Sequence, residues 1–173
     1  MADAPGPGSV AALAGDGARV AVIGLGNELR HDDAAGLEVV RALRGRGCAR
    51  GVRLLEHEGE PLTLLELWRD LAAVVLVDAI NAGAQAGTVH RIDASVEPIP
   101  PSPDRACTTH AVGLEETLEL ARALGRLPAR AIVYALEGER FDIGRGLSEA
   151  VRAAVEPLAD AVVEEAGALA ASR

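Results

Sequence analysis

Lysine is missing from this chain: all 17 basic residues are arginine. With the many alanines and glycines, that bias reads as genome base composition and carries no functional signal. Aromatic residues make up only 2%, so valine, leucine, isoleucine and alanine have to fill the core. Two cysteines, Cys48 and Cys107, stand outside any Cys-x-x-Cys pair, which excludes a disulfide framework. No apolar run approaches the ~20 residues of a membrane span. The first 18 residues are alanine, glycine and proline with acidic punctuation and lack the positive start of a secretion signal. Residues 1–18 are therefore expected to be a flexible tail, residues 19–171 a single domain, and the protein cytoplasmic. A net charge of −9 and a pI near 4.9 exclude a nucleic-acid partner, whose phosphates need a basic surface. No Gly-x-Ser-x-Gly elbow for a serine hydrolase is present.

What is present has the proportions of an ordinary globular domain, 49% hydrophobic and 25% charged, in a chain long enough to bury a core. Its organising stretch runs from Arg19 to Gly36. An apolar run ends on Gly24-Leu25-Gly26-Asn27, and a polar loop then leads to Asp32-Asp33 before a new apolar period starts. That order predicts a strand over Val20–Leu25, a tight turn, an acidic loop and a helix. Leu37, Val40 and Leu43 recur at helical spacing, Gly45 and Gly47 stop that helix, and Val52–His57 is a second strand. Pro61 suits a first helical turn, with Leu64, Leu65, Trp68 and Leu71 forming one face. Ala73–Val77 is a buried strand ending on Asp78, and Thr88–Ile92 an edge strand. Ser95 to Thr109 carries four prolines and no periodicity, so it is a loop. Leu114 to Leu124 predicts a helix, Ala131–Leu136 a fifth strand, and the stripe from Leu147 to Leu169 a long last helix. Alternating strands and helices predict a single α/β domain, a mainly parallel, twisted five-stranded sheet with helices on both faces.

Asp33, Asp78 and His110 each stand past a strand or at the start of a helix. If the first and third strands are neighbours, the two carboxylates open into one crevice, and the proline-rich loop can bring His110 over it. Facing carboxylates repel, and a divalent cation removes the conflict, with a neutral imidazole completing an oxygen and nitrogen donor set. Such a set does not choose nickel over zinc. Each residue also has a purely structural reading. Asp32 or Asp33 can cap the following helix, Asp78 can close an Asx-turn, and His110 can be a surface histidine. His31, His57 and His90 are read as structural, with His31 and His57 near enough to the crevice for a secondary role. Leu29 stands where the third glycine of a dinucleotide fingerprint belongs, so that match fails. Cys107, three residues before His110, raises a thiol nucleophile as an alternative.

Taken together, Gly24-Leu25-Gly26-Asn27 through Asp32-Asp33, then Val77-Asp78-Ala79, then Thr109-His110 followed by Gly113-Leu114, resemble the nickel–iron hydrogenase maturation endopeptidases. The likeness spans Val20 to about Val155, with Ala34 replacing the glycine that often follows the acid pair. The resemblance implies an enzyme that removes a C-terminal extension from the hydrogenase large-subunit precursor after nickel insertion. It implies that Asp33, Asp78 and His110 recognise nickel presented by that precursor, with Gly26, Asn27, Asp32 and Thr109 supporting the site. The expected mechanism is a metal that polarises the scissile carbonyl or lowers the pKa of a bound water, with no covalent intermediate. A non-enzymatic nickel-sensing or carrier module with the same ligands is the alternative from another class.

Overall fold

The structure is a computed structural model, and it describes residues 17–46, 51–99 and 113–172. Five strands form one sheet: β1 (Val20–Leu25), β2 (Val52–His57), β3 (Ala73–Ile80), β4 (Val89–Asp93) and β5 (Arg130–Glu137). Their order is β2-β1-β3-β5-β4. All neighbours are parallel except β4, which pairs antiparallel with β5 at one edge. Every residue of β1 is buried, as an almost unbroken apolar run requires of a strand covered on both faces.

Strand alternation divides the core in two. Val20, Val22, Val75, Val77, Ile132, Tyr134 and Leu136 point to one face. There α1 (Ala35–Arg46) and α4 (Glu149–Ala171) cover them with Val39, Val40, Leu43, Val151, Val155, Leu158 and Val162. Ala21, Ile23, Leu25, Val74, Leu76, Ala131 and Val133 point the other way. They meet α2 (Pro61–Leu67) and α3 (Leu114–Ala123) through Leu64, Leu65, Leu118 and Ala121, with Trp68 fully buried just beyond α2. With aromatics so scarce, small branched side chains close both layers. Arg46 at the end of α1 ion-pairs with Glu156 and Asp160, tying the two helices of one face together.

Pro61 takes the first position of α2, and the carboxylate of Glu60 caps that helix by accepting the Leu62 and Thr63 N–H groups. The expected single-domain α/β sheet with helices on both faces is what the described residues form. Three local differences matter. β3 continues through Asp78 to Ile80, because β5 goes on pairing with it as far as Ile80 opposite Glu137. The edge strand is displaced by one residue, to Val89–Asp93. A 3-10 helix, His31–Ala34, precedes α1, so the acid pair lies inside a helical turn. The expected tail 1–18 falls almost wholly outside the described residues.

Candidate active site

The strand order reverses direction between β1 and β3. From β1 the chain goes through α1 to β2 on one side, then crosses through α2 to β3 on the other. The crevice over the carboxyl ends of β1 and β3 is the switch point, where strands splay and a ligand can enter. β1 stops pairing with β3 at Gly24 opposite Val77. Asp78 is thus the first residue of β3 with a partner only on the β5 side, opposite Ala135. Val77 and Ala79 belong to the α1–α4 core, so the Asp78 side chain projects from the opposite face of β3.

Asp33 reaches the same place from the other wall. Gly26 makes this possible: its φ of +138° lies in the region that favours glycine, and a Cβ there would sit 1.7 Å from the Asp33 carbonyl oxygen. Gly36 permits a similar approach further along, where a Cβ would meet the Val77 carbonyl oxygen at 2.3 Å. These contacts press the acidic turn onto the ends of β1 and β3. Asn27 shapes the loop between, its Oδ1 accepting the Leu29 N–H at 2.9 Å and its carbonyl the Arg30 N–H at 3.1 Å. Asp33 itself is only 3% exposed.

Asp78 feels the neighbouring carboxylate. Burial, and then the charge of Asp33, push Asp78 up to about 7, against the pull of the Ala79 N–H that donates to Asp78 Oδ1 at 2.9 Å. Near neutral pH Asp78 therefore shares between its charged and protonated forms. The contact with Ala79 is a neighbouring-residue hydrogen bond inside β3, so Asp78 does not close an Asx-turn.

Asp32 has a different task from its neighbour. Its side chain is fully buried and points away into the loop after β5. Oδ2 accepts the N–H groups of Glu139 and Arg140, both at 3.0 Å, and Oδ1 accepts that of Ser148 at 2.7 Å. Ser148 is the N-cap of α4, so Asp32 supports the start of that helix rather than of α1. Nothing in the sequence pointed to this, because the three donors lie more than a hundred residues downstream.

The remaining histidines are held structurally. His57 accepts the Gly59 N–H at Nδ1 and lies 2.9 Å from Thr63 Oγ1 at Nε2. His90 is 3.2 Å from Glu137, whose buried carboxylate also accepts the Ala82 N–H. His31 has Nδ1 3.0 Å from the Gly146 carbonyl and packs against the loop after β5. His110 and Thr109 lie outside the described residues, as do Cys48 and Cys107. Among the described residues no three histidine, cysteine, aspartate or glutamate side chains stand together as a metal site. α3 must end where β5 can begin, so its N-terminus at Gly113 stands toward the carboxyl end of the sheet.

A doubly wound sheet with paired carboxylates at its switch point defines an α/β fold with a crevice over the ends of β1 and β3. The model of the hydrogenase maturation protease family, HycI, matches residues 37–165. The chain belongs to the hydrogenase maturation protease family and is a hydrolase. The matched segment starts after the acid pair, whereas Asp78 lies inside it. Hydrogenase expression/formation protein HupM of Azotobacter chroococcum is 28% identical over 166 residues, spanning 93% of this chain and 79% of that one. The hydrogenase 2 maturation protease of Escherichia coli is 27% identical over 147 residues, 84% of this chain and 88% of that one. Among solved structures, an Escherichia coli endopeptidase superposes with a TM-score of 0.72 at 24% identity, over 84% of this chain and 90% of that one. At that identity the last comparison speaks for the fold alone.

Proposed function

We propose that this protein removes the C-terminal extension of a nickel–iron hydrogenase large-subunit precursor once nickel has been inserted. In this proposal Asp33, Asp78 and His110 recognise the nickel that the precursor presents. The observation that carries the reading is the facing of Asp33 and Asp78 at the switch point. Burial and the charge of Asp33 raise the cost of ionising Asp78, and a cation carried in by the substrate removes that cost. Nickel is cargo in this scheme, so an oxygen and nitrogen donor set without intrinsic preference for nickel is sufficient. Selectivity comes from the precursor, whose scissile segment is brought to the crevice only when the metal is in place.

The carboxylates then have two tasks. They fix the metal-bearing segment over the crevice, and one of them accepts a proton from the attacking water. Asp78 releases its own proton as nickel arrives, so recognition of the precursor is coupled to proton release. The proposal places the reaction in the cytoplasm. No helix among the described residues is long and apolar enough to cross a membrane.

The test uses purified protein with nickel-loaded precursor, followed by mass spectrometry of the precursor's C-terminus. Wild type is expected to shorten many precursors per molecule, and His110→Ala to remain folded but abolish cleavage. Cys107→Ser is expected to cleave like wild type. Stoichiometric nickel binding with no loss of C-terminal mass identifies a carrier and refutes the proposal. Loss of cleavage in Cys107→Ser refutes the metal-directed route.

A further inference from the structure

Glu137 ends β5 as a fully buried carboxylate, a group that is costly to bury unless its oxygens are bonded. Both are engaged. Oε2 accepts the Ala82 N–H at 3.0 Å, and Oε1 lies 3.2 Å from His90 Nε2. The main chain closes around the same pair. The Gly87 N–H donates to the Glu137 carbonyl at 2.8 Å, and the Glu137 N–H to the Thr88 carbonyl at 2.9 Å. His90 thus stands on an anchored base, yet its side chain is 41% exposed. Among the described residues its ring has no other hydrogen-bond partner. A carboxylate on one ring nitrogen fixes the tautomer and the direction of the other, which leaves Nδ1 as the working nitrogen.

Strand register puts this imidazole in line with Asp78. β4 runs antiparallel to β5, so its first residues lie beside the carboxyl end of β5, the end at which β1 and β3 open. Ala135 is opposite Asp78 on one side and opposite His90 on the other. Residues opposite each other in register share a face. Asp78, Ala135 and His90 therefore form one row, on the face where Leu76, Val133 and Ile92 meet the α2–α3 core two positions along each strand. The Asp78 and His90 Cα atoms are two strand spacings, about 10 Å, apart, and in that row only the methyl group of Ala135 separates them. Such a gap takes one peptide unit between a carboxylate and an imidazole.

We propose that His90 is a further catalytic residue, which protonates the amine leaving the scissile peptide bond, and that Glu137 is the residue that positions it. This rests on the processing function proposed above. Attack of water makes the C–O bond while one aspartate of the pair takes the water's proton. Collapse of the tetrahedral adduct then breaks the C–N bond, and the nitrogen keeps that electron pair, so it needs a proton to depart as an amine. His90 gives it from Nδ1 and keeps its Nε2 proton bonded to Glu137. Solvent returns a proton to Nδ1 and takes one from the aspartate, so the protein ends the cycle as it began.

The experiment compares wild type with His90→Gln and Glu137→Gln. It measures the dissociation constant of nickel-loaded precursor, KM and kcat for its cleavage, and melting temperature. Glutamine at position 90 keeps an N–H for Glu137 Oε1 but cannot transfer a proton, so the melting temperature is expected to stay within about 2 °C of wild type. Its kcat is expected to fall about 100-fold or more, with KM and the dissociation constant within about 3-fold. Glu137→Gln keeps an acceptor for the Ala82 N–H and removes the carboxylate, and is expected to lower kcat about 10-fold or more at retained precursor affinity. His90→Gln that cleaves at the wild-type rate, or that raises KM at unchanged kcat, overturns the assignment and leaves the processing function standing. Loss of kcat in Glu137→Gln with none in His90→Gln also overturns it. Wild type that binds nickel-loaded precursor without cutting it refutes the processing function, and with it the departing amine on which His90 acts.

Discussion

Replacing Asp78 with asparagine is expected to make the metal-free protein more stable while removing its function. In the folded chain the Asp78 carboxyl titrates at about 7, against 3.8 for an unperturbed group. The folded state therefore keeps a proton that the unfolded chain gives up, and stability contributed by that proton is complete below pH 3.8. It is lost progressively as pH rises through 7. At 1.36 kcal/mol per pH unit, the interval from 3.8 to about 7 corresponds to a ceiling of about 4 kcal/mol. Asp78 is partly exposed to the crevice, and water there screens the charge, so about 2–4 kcal/mol is expected above pH 8. Asparagine has no charge to desolvate and no repulsion with Asp33. Urea unfolding with a chelator present, followed by emission of Trp68, the single tryptophan, gives the measurement. The variant should match wild type near pH 4 and exceed it at pH 8, with a melting temperature higher by roughly 5–15 °C. Equal stability differences at both pH values, or a variant weaker at pH 8, would refute the account of the carboxylate pair.

The neighbouring aspartates should separate cleanly under mutation. Asp32→Ala leaves the buried N–H of Ser148 and the part-buried N–H groups of Glu139 and Arg140 without their acceptor and is expected to cost about 2–4 kcal/mol in urea unfolding; a loss under about 1 kcal/mol would contradict its structural task. Gly26→Ala places a methyl 1.7 Å from the Asp33 carbonyl at a φ of +138°. It is expected to lose more than about 3 kcal/mol by combined strain and overlap, with amide exchange accelerated first in residues 26–36. Stability within about 0.5 kcal/mol of wild type, on the order of the effect of a neutral surface change, would show that the acidic turn is not pressed against β1.

Much of the fold was legible because it depends on local periodicity. β1 and β2 have the predicted bounds, since an apolar run bounded by glycine or by polar turns leaves little freedom in where a strand begins and ends. The Leu64, Leu65, Trp68 and Leu71 face and the placement of Pro61 follow from spacing along one helix. The sequence singled out Asp78 because it interrupts an apolar run, and the Asp32-Asp33 pair because it follows the first strand and its glycine turn. The sequence could not separate Asp32 from Asp33, since both fit a helix cap equally well. Their division of labour depends on which way each side chain turns in the 3-10 helix, and on a loop distant in sequence. The continuation of β3 past Asp78 was likewise invisible, because it comes from pairing with β5 and not from the residues of β3.

By itself, then, the sequence determined the class of sheet, the order of its elements and the residue types at the ends of the first and third strands. These follow from hydrophobic period and turn chemistry, which act over a few residues. The tertiary structure alone decided that Asp33 and Asp78 face each other, that Asp32 fastens the loop after β5, and that Arg30 and Gly144 are bridged. Each of these depends on strand order and on close approach between backbones far apart in sequence. Such contacts are set by how the layers pack, and no local pattern encodes them.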